Sequence, residues 1–215
     1  MRATAPTTNP LMSSSRETIL SRVRAALAPL PQRAALPDWD RELVILRQAQ
    51  GLADAWPLFA ERLKAVNGTP LTSVAELVAL LEQNSWKHGY CDPALWPSLS
   101  AAFPAGFTVE TAYDRARVDD YAFGITAAAG AIAETGTLVI TDNGTSSRLG
   151  ALAPWVHIVV LRRNQIHHDI PAAIAALPKD PNVIWITGPS KTADVEGILI
   201  EGVHGPGRQI ALLVD

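Results

Sequence analysis

"HIVVLRRNQIHHDIPAAIAALPKDPNVIWITGPSKTADVEGILIEGVHGPGRQIALLVD" spans His157 to Asp215, and its alternation decides the fold. "HIVVLRRNQIHHDI" opens with β-branched residues and reads as a strand, followed by "PAAIAAL" as a short helix. "NVIWITG" reads as a second strand, "TADVEGILIEG" as a second helix and "RQIALLVD" as a final strand. Strands that alternate with helices predict an α/β fold of three layers, with a mainly parallel open sheet covered on both faces.

Upstream, "YAFGITAAAGAIAETGTLVITDNGTSSR" (Tyr121–Arg148) holds two β-rich runs around an alanine-glycine turn, and these read as adjacent strands with "GTLVIT" the more buried. Gly106 leads into a strand "FTVET", preceded by a helix after Pro93 and a short strand from Trp86 to Cys91. "SVAE" at Ser73–Glu76 is a capping box before Leu77, Val78, Leu80 and Leu81, and predicts a helix. Another is expected from Asp54, as cap, to Val66, because Pro57 falls in the first turn where its missing N–H is tolerated.

The N-terminal part has a different character. Residues 1–15, "MRATAPTTNPLMSSS", hold few large apolar groups and predict a flexible tail, with Met12 as an alternative start. From Arg16 the positions Ile19, Leu20, Val23 and Leu27 make one helical stripe ending near Pro29, and "PQRAALP" follows as a linker. The expected organisation is a tail at 1–15, an N-terminal helical extension with its linker at 16–36, and one α/β domain at 37–215.

Composition excludes several roles. At 215 residues, 48% hydrophobic and a formal charge of -3, the chain can bury a full core but has no basic surplus for a phosphate backbone, so no nucleic-acid partner is expected. One cysteine, Cys91, allows no intrachain disulfide and too few thiolates for a cluster. An iron-sulfur centre would sit on another chain. No apolar run approaches the roughly 20 residues of a membrane span, and a cytoplasmic location is expected. His167 and His168 are adjacent, so on a strand they face opposite ways and make no metal site.

Three stretches carry candidate chemistry. In "ITGPSKTADVE" (Ile186–Glu196), Gly188 permits a turn, and Ser190 or Thr192 can cap the following helix, whose free amides would attract an anion. Lys191 adds charge, while Asp194 and Glu196 complement the helix dipole. Simple capping and anion binding both remain open. In "EGVHGPG" three glycines and a proline present His204, as a proton carrier or as a hydrogen-bond donor to a neighbouring loop. In "IAETGTLVIT", Glu134 precedes Thr135, Gly136 and Thr137 at the mouth of a buried strand. It could be a nucleophile, a general base or a ligand acceptor, or a carboxylate satisfied by turn amides or by Arg148. "NGTSSR" at Asn143–Arg148 closes over a ligand or is a solvated connection.

"GITAAAGAIAETGTLVI", "ITGPSKTADVE" and "GVHGPG", in this order and spacing, resemble the lactate-utilisation protein C (LutC) family, whose domain is often called the LUD domain. The resemblance implies the fold type shared by ribose-5-phosphate isomerase and coenzyme A transferases. It also implies a role in oxidising L-lactate to pyruvate beside iron-sulfur partner proteins, with no cofactor bound by this chain. The expected site binds a small anionic ligand through Thr135, Gly136, Thr137, Arg148, Gly188, Ser190, Lys191, Thr192 and Asp194, with Glu134 or His204 handling a proton. "AETG" is similar to the glutamate-glycine pair that coenzyme A transferases use as acyl acceptor, which makes Glu134 an alternative nucleophile. A non-catalytic scaffold is the third expectation.

Overall fold

A computed structural model describes residues 10–29, 52–142, 147–177, 179–180, 182–193 and 197–214. The expectations for residues 1–9, the proline-bounded linker, the domain start near residue 37, the loop at 143–146, Asp194 and Glu196 fall outside the described residues. The chain divides into two units, residues 1–46 and 47–215.

In the first unit, helix α1 (Pro10–Leu27) begins earlier than the Arg16 start that the apolar stripe predicted. Proline suits the opening turn of a helix, and residues 10–15, expected in a tail, are helical. The side chains of Ile19, Val23 and Leu27 are exposed.

In the second unit the helices start where local chemistry places them. Helix α2 (Trp56–Ala65) carries Pro57 in its first turn, and the Asp54 carboxylate accepts from the Trp56 amide at 3.0 Å. Helix α3 (Val74–Gln83) is capped by Ser73, whose hydroxyl accepts from the Ala75 amide at 3.1 Å. Glu76 reaches back to the amide of Thr72, not of Ser73.

Strands β1 (Thr69–Leu71), β2 (His88–Cys91), β3 (Thr108–Glu110), β4 (Phe123–Ala127), β7 (Val156–Leu161) and β12 (Arg208–Leu213) form a parallel sheet in the order β1-β12-β7-β4-β2-β3. All of β7 and all but the first residue of β12 are buried, as the centre of a two-sided sheet requires. On one face, Phe123, Ile125, Ile158, Val160 and Ile210 pack against Leu77 and Leu81 of α3 and Leu99 of the short helix α4 (Trp96–Leu99). On the other, Val159, Leu161, Ala211 and Leu213 pack against Phe59 and Leu63 of α2. Full burial of one such side chain is worth about 1.5–3 kcal/mol.

A second sheet completes that layer. Strands β5 (Gly130–Ile132), β6 (Thr137–Thr141), β8 (Ile166–His167) and β9 (Val183–Ile186) lie in the order β8-β5-β6-β9, antiparallel at β5-β6 and β6-β9. The two runs around the alanine-glycine turn are therefore not neighbours. The Ala128 amide bonds to Val160 in the first sheet, and the next amide, Ala129, to Val139 in the second. The small side chains of Ala127–Gly130 let the chain turn this corner. "HIVVLRRNQIHHDI" is likewise two strands, β7 and β8, one in each sheet.

The helix expected over Thr192–Gly202 is not found among the described residues of that span. Strand β10 (Lys191–Thr192) pairs antiparallel with β11 (Ile200–Glu201) instead. Gly197 and Gly202 take left-handed φ of 71° and 82°, so they act as turn residues inside what read as a helical segment. Short helices α5 (Arg148–Leu152) and α6 (Ile170–Ala176) remain, the latter as predicted. Among the described residues no helix is long and apolar enough to cross a membrane, and no three His, Cys, Asp or Glu side chains are grouped to hold a metal ion.

Candidate functional site

Gly188 follows β9 with φ +81°, and a β-carbon there would fall 2.1 Å from the carbonyl oxygen of Val66, so only glycine lets this turn lie on the end of α2. Two backbone hydrogen bonds then join it to the glycine-rich loop: the Ser190 amide donates to Pro206 at 2.9 Å, and the Gly202 amide donates to Ser190 at 2.8 Å. Trp155 packs edge-on where Gly202 and Gly207 leave space for its ring. These loops enclose a cavity of about 290 Å³, bordered by Leu152, Gly188, Ser190 and His204, with His157 and Gln209 among its lining.

His157 and Gln209 form its polar floor. They sit side by side near the amino ends of β7 and β12, and both are almost wholly buried. His157 Nε2 lies 2.9 Å from the Thr126 hydroxyl, and its Nδ1 lies 3.0 Å from Gln209 Oε1. Burial pushes the imidazole down to about 4, with the Gln209 contact opposing that shift. At neutral pH His157 is therefore uncharged, one ring nitrogen donating and the other accepting.

The expected residues divide between this cavity and its surroundings. Gly188, Ser190 and His204 border it, with His204 exposed at the rim. Thr137 does not line it, but its hydroxyl lies 2.9 Å from that of Thr187, which does, and 2.7 Å from that of Thr135. Gly136, at φ +65°, lies against the backbone of Arg62 and Leu63 in α2. Lys191 donates to the Val66 carbonyl at 3.3 Å and pairs with Glu201 at 3.5 Å. Thr192 pairs with Ile200 across the β10-β11 ribbon. Arg148 pairs with Asp142 at 2.7 Å, not with Glu134. Asp194 lies outside the described residues.

Glu134 is not part of the cavity wall. One carboxylate oxygen accepts from the Ile170 amide at 3.1 Å, at the start of α6. The satisfied carboxylate foreseen for it is thus supplied by a helix-start amide. Among the described residues Ser190 and Thr192 cap no helix, because Lys191–Thr192 pair with Ile200–Glu201 as a β-ribbon. The cavity lies beyond the carboxyl end of β9, whose Thr187–Ser190 continuation lines it, and toward the amino ends of β7 and β12, which supply His157 and Gln209.

Sequence reasoning missed Thr126, His157 and Gln209. For His157 and Gln209 the signal was present: "VHIVVL" and "QIALL" each place one polar side chain near the start of a run that is buried throughout, and a buried polar group requires a partner.

A family model for the LUD domain matches residues 99–214. Lactate utilization protein C of Deinococcus radiodurans is 35% identical over 95 residues, covering 42% of this chain and 45% of that protein. The protein of the same name from Halalkalibacterium halodurans is 33% identical over 100 residues, covering 43% and 44%. Each match thus spans less than half of the relative's length. An uncharacterized protein of Neisseria meningitidis is 24% identical over 94% of both chains. The crystal structure of a DUF162 family protein from Deinococcus radiodurans aligns with TM-score 0.55 and 23% identity, over 75% of this chain and 96% of that one, a likeness of fold. With a family match over more than half its length, and relatives named lactate utilization protein C in several bacteria, this chain belongs to the LUD domain family.

Proposed function

We propose that this chain serves lactate utilisation as a subunit that binds a small monocarboxylate, L-lactate or pyruvate, in the cavity between the Gly188–Ser190 turn and the His204 loop. Its redox partners in this scheme are iron-sulfur proteins, with which the sole and buried cysteine of this chain, Cys91, is compatible. The names of the LUD-family relatives support the pathway. The ligand class rests on the cavity's chemistry: a largely apolar wall from Ile184, Ile186 and Leu152, interrupted by Ser190, His204, His157 and Gln209. No lysine or arginine lines it among the described residues, which suits a singly charged acid better than a phosphate.

The observation that carries the reading is the pair of hydrogen bonds through Ser190, which fix two loops distant in sequence over one hollow. In this scheme Ser190 holds the ligand, and His204 at the rim orients it or exchanges a proton with it. Calorimetry with L-lactate and pyruvate tests it. A Ser190→Ala/His204→Ala double variant is expected to bind at least about tenfold more weakly, as loss of one or two hydrogen bonds to a charged group implies. Equal affinities for variant and wild type would reject the site.

A further inference from the structure

Three buried polar groups beneath the cavity form an ordered chain, and the direction of each hydrogen bond in it can be worked out. The starting point is the carbonyl oxygen of Ile210, which only accepts. The Gln209 side-chain atom facing it at 3.4 Å must therefore be the amide nitrogen. Gln209 Oε1 then faces His157 Nδ1 at 3.0 Å, and that ring nitrogen must carry the proton. Burial keeps the imidazole neutral, so Nε2 is a bare acceptor, and the Thr126 hydroxyl, 2.9 Å away, donates to it. The reverse order would turn two acceptors, Gln209 Oε1 and the Ile210 carbonyl, toward each other in a site with almost no solvent.

One consequence reaches the cavity. With its oxygen held by His157, Gln209 has two N–H groups, and only one is directed to the Ile210 carbonyl. The second has no partner among the described residues, and Gln209, 2% exposed, lines the hollow. A buried donor without a partner costs free energy that a ligand oxygen would recover.

We propose that Gln209 selects a ligand with an oxygen acceptor, a carboxylate or ketone, and that its amide is held with N–H toward the cavity by the Ile210 carbonyl, with His157 as a positioning residue that donates to its oxygen. This rests on the monocarboxylate reading above and names the residue that enforces it. A glutamine free to rotate would accept or donate equally well; one pinned between a backbone carbonyl and a buried imidazole discriminates. The cost of presenting an amine to this donor is an unpaired N–H facing another donor, the kind of mismatch on which polar sites base large selectivity.

The test has two arms. Nitrogen-15 spectra of histidine-labelled protein near neutral pH are expected to show His157 as the Nδ1–H neutral tautomer, and in Gln209→Met, which removes the acceptor for Nδ1–H, this signature should become mixed. An Nε2–H tautomer in the wild type would overturn the proposed order. In the second arm, calorimetry compares L-lactate with 1-amino-2-propanol, which replaces the carboxylate by an aminomethyl group. Wild type is expected to bind lactate and not the amine. Gln209→Glu, which keeps the acceptor for His157 but offers no donor, should lose lactate affinity about tenfold or more, with circular dichroism confirming its fold. Gln209→Met, neutral and of similar size, should lose lactate affinity without gaining the amine. If wild type binds lactate and Gln209→Glu binds it equally, the selection role falls while the monocarboxylate reading stands. If wild type binds neither lactate nor pyruvate, both fall.

Discussion

The hydroxyls of Thr137 and Thr187 are 50 positions apart in sequence and 2.9 Å apart in the fold. With Thr135 at 2.7 Å from Thr137, they tie the turn between β5 and β6 to the end of β9, and so to the cavity wall. Thr137→Val keeps the shape and deletes the link, leaving two hydroxyls without it. The expected loss is about 1–2 kcal/mol in urea denaturation, with Thr137→Ser close to wild type. No loss in Thr137→Val would mean the chain of hydroxyls contributes nothing.

Glu134 separates a structural carboxylate from a reactive one. Its bond to the Ile170 amide supplements the Asp169 cap of α6, so Glu134→Ala should cost about 1 kcal/mol of stability or less. Glu134→Gln retains a carbonyl acceptor and should cost only about a few tenths. Neither variant should alter lactate affinity. A glutamyl adduct trapped with an acyl-coenzyme A donor, or binding lost in Glu134→Gln, would return Glu134 to the chemistry.

His157 makes stability depend on pH. Its folded-state value of about 4 lies below the 6.5 of an ordinary imidazole, so between these limits the unfolded chain binds the extra proton. Stability is complete above 6.5 and falls as pH drops through the window, by about 3 kcal/mol over its whole span. His157→Leu should be less stable at neutral pH and show a flatter profile. Denaturation midpoints that fall equally steeply in both proteins would assign the acid sensitivity to other groups.

Two glycines of similar φ offer a controlled comparison. At Gly188 a β-carbon would meet the Val66 carbonyl oxygen at 2.1 Å, whereas at Gly197, φ +71°, nothing among the described residues lies within 4 Å. Gly197→Ala therefore pays only for the left-handed conformation, about 1–2 kcal/mol. Gly188→Ala adds a backbone collision worth about 1–3 kcal/mol and should distort the cavity, reducing lactate affinity as well. Similar losses in the two variants would argue against close contact between the turn and α2.

The α/β class was legible because β7 and β12 are apolar on both faces, and the caps at Asp54 and Ser73 because their signals are local. The second sheet was not, since nothing within Gly124–Thr141 tells which strand each segment will meet; consecutive amides of Ala128 and Ala129 choose different sheets through partners at Val160 and Val139. "TADVEGILIEG" misled because its helical periodicity competes with two glycines whose left-handed turns are fixed by contacts such as Trp155 against Gly202. The meeting of Ser190 and His204 followed from proximity in the chain. The polar floor required knowing that Gln209 pairs with His157 across β12 and β7 and that Thr126 lies on the neighbouring β4, two residues past His157's partner Gly124, which is a tertiary fact.

Strand β12 lies between β1 and β7, joining a segment near residue 70 to one near 158. During synthesis the ribosome releases both flanking strands well before residues 208–213, so β1 and β7 cannot be bridged until β12 has emerged. Cavity assembly, which draws His157 and Gln209 from either side of this seam, is therefore a late folding event, and a polypeptide cut before residue 208 should expose apolar edges and be captured by chaperones.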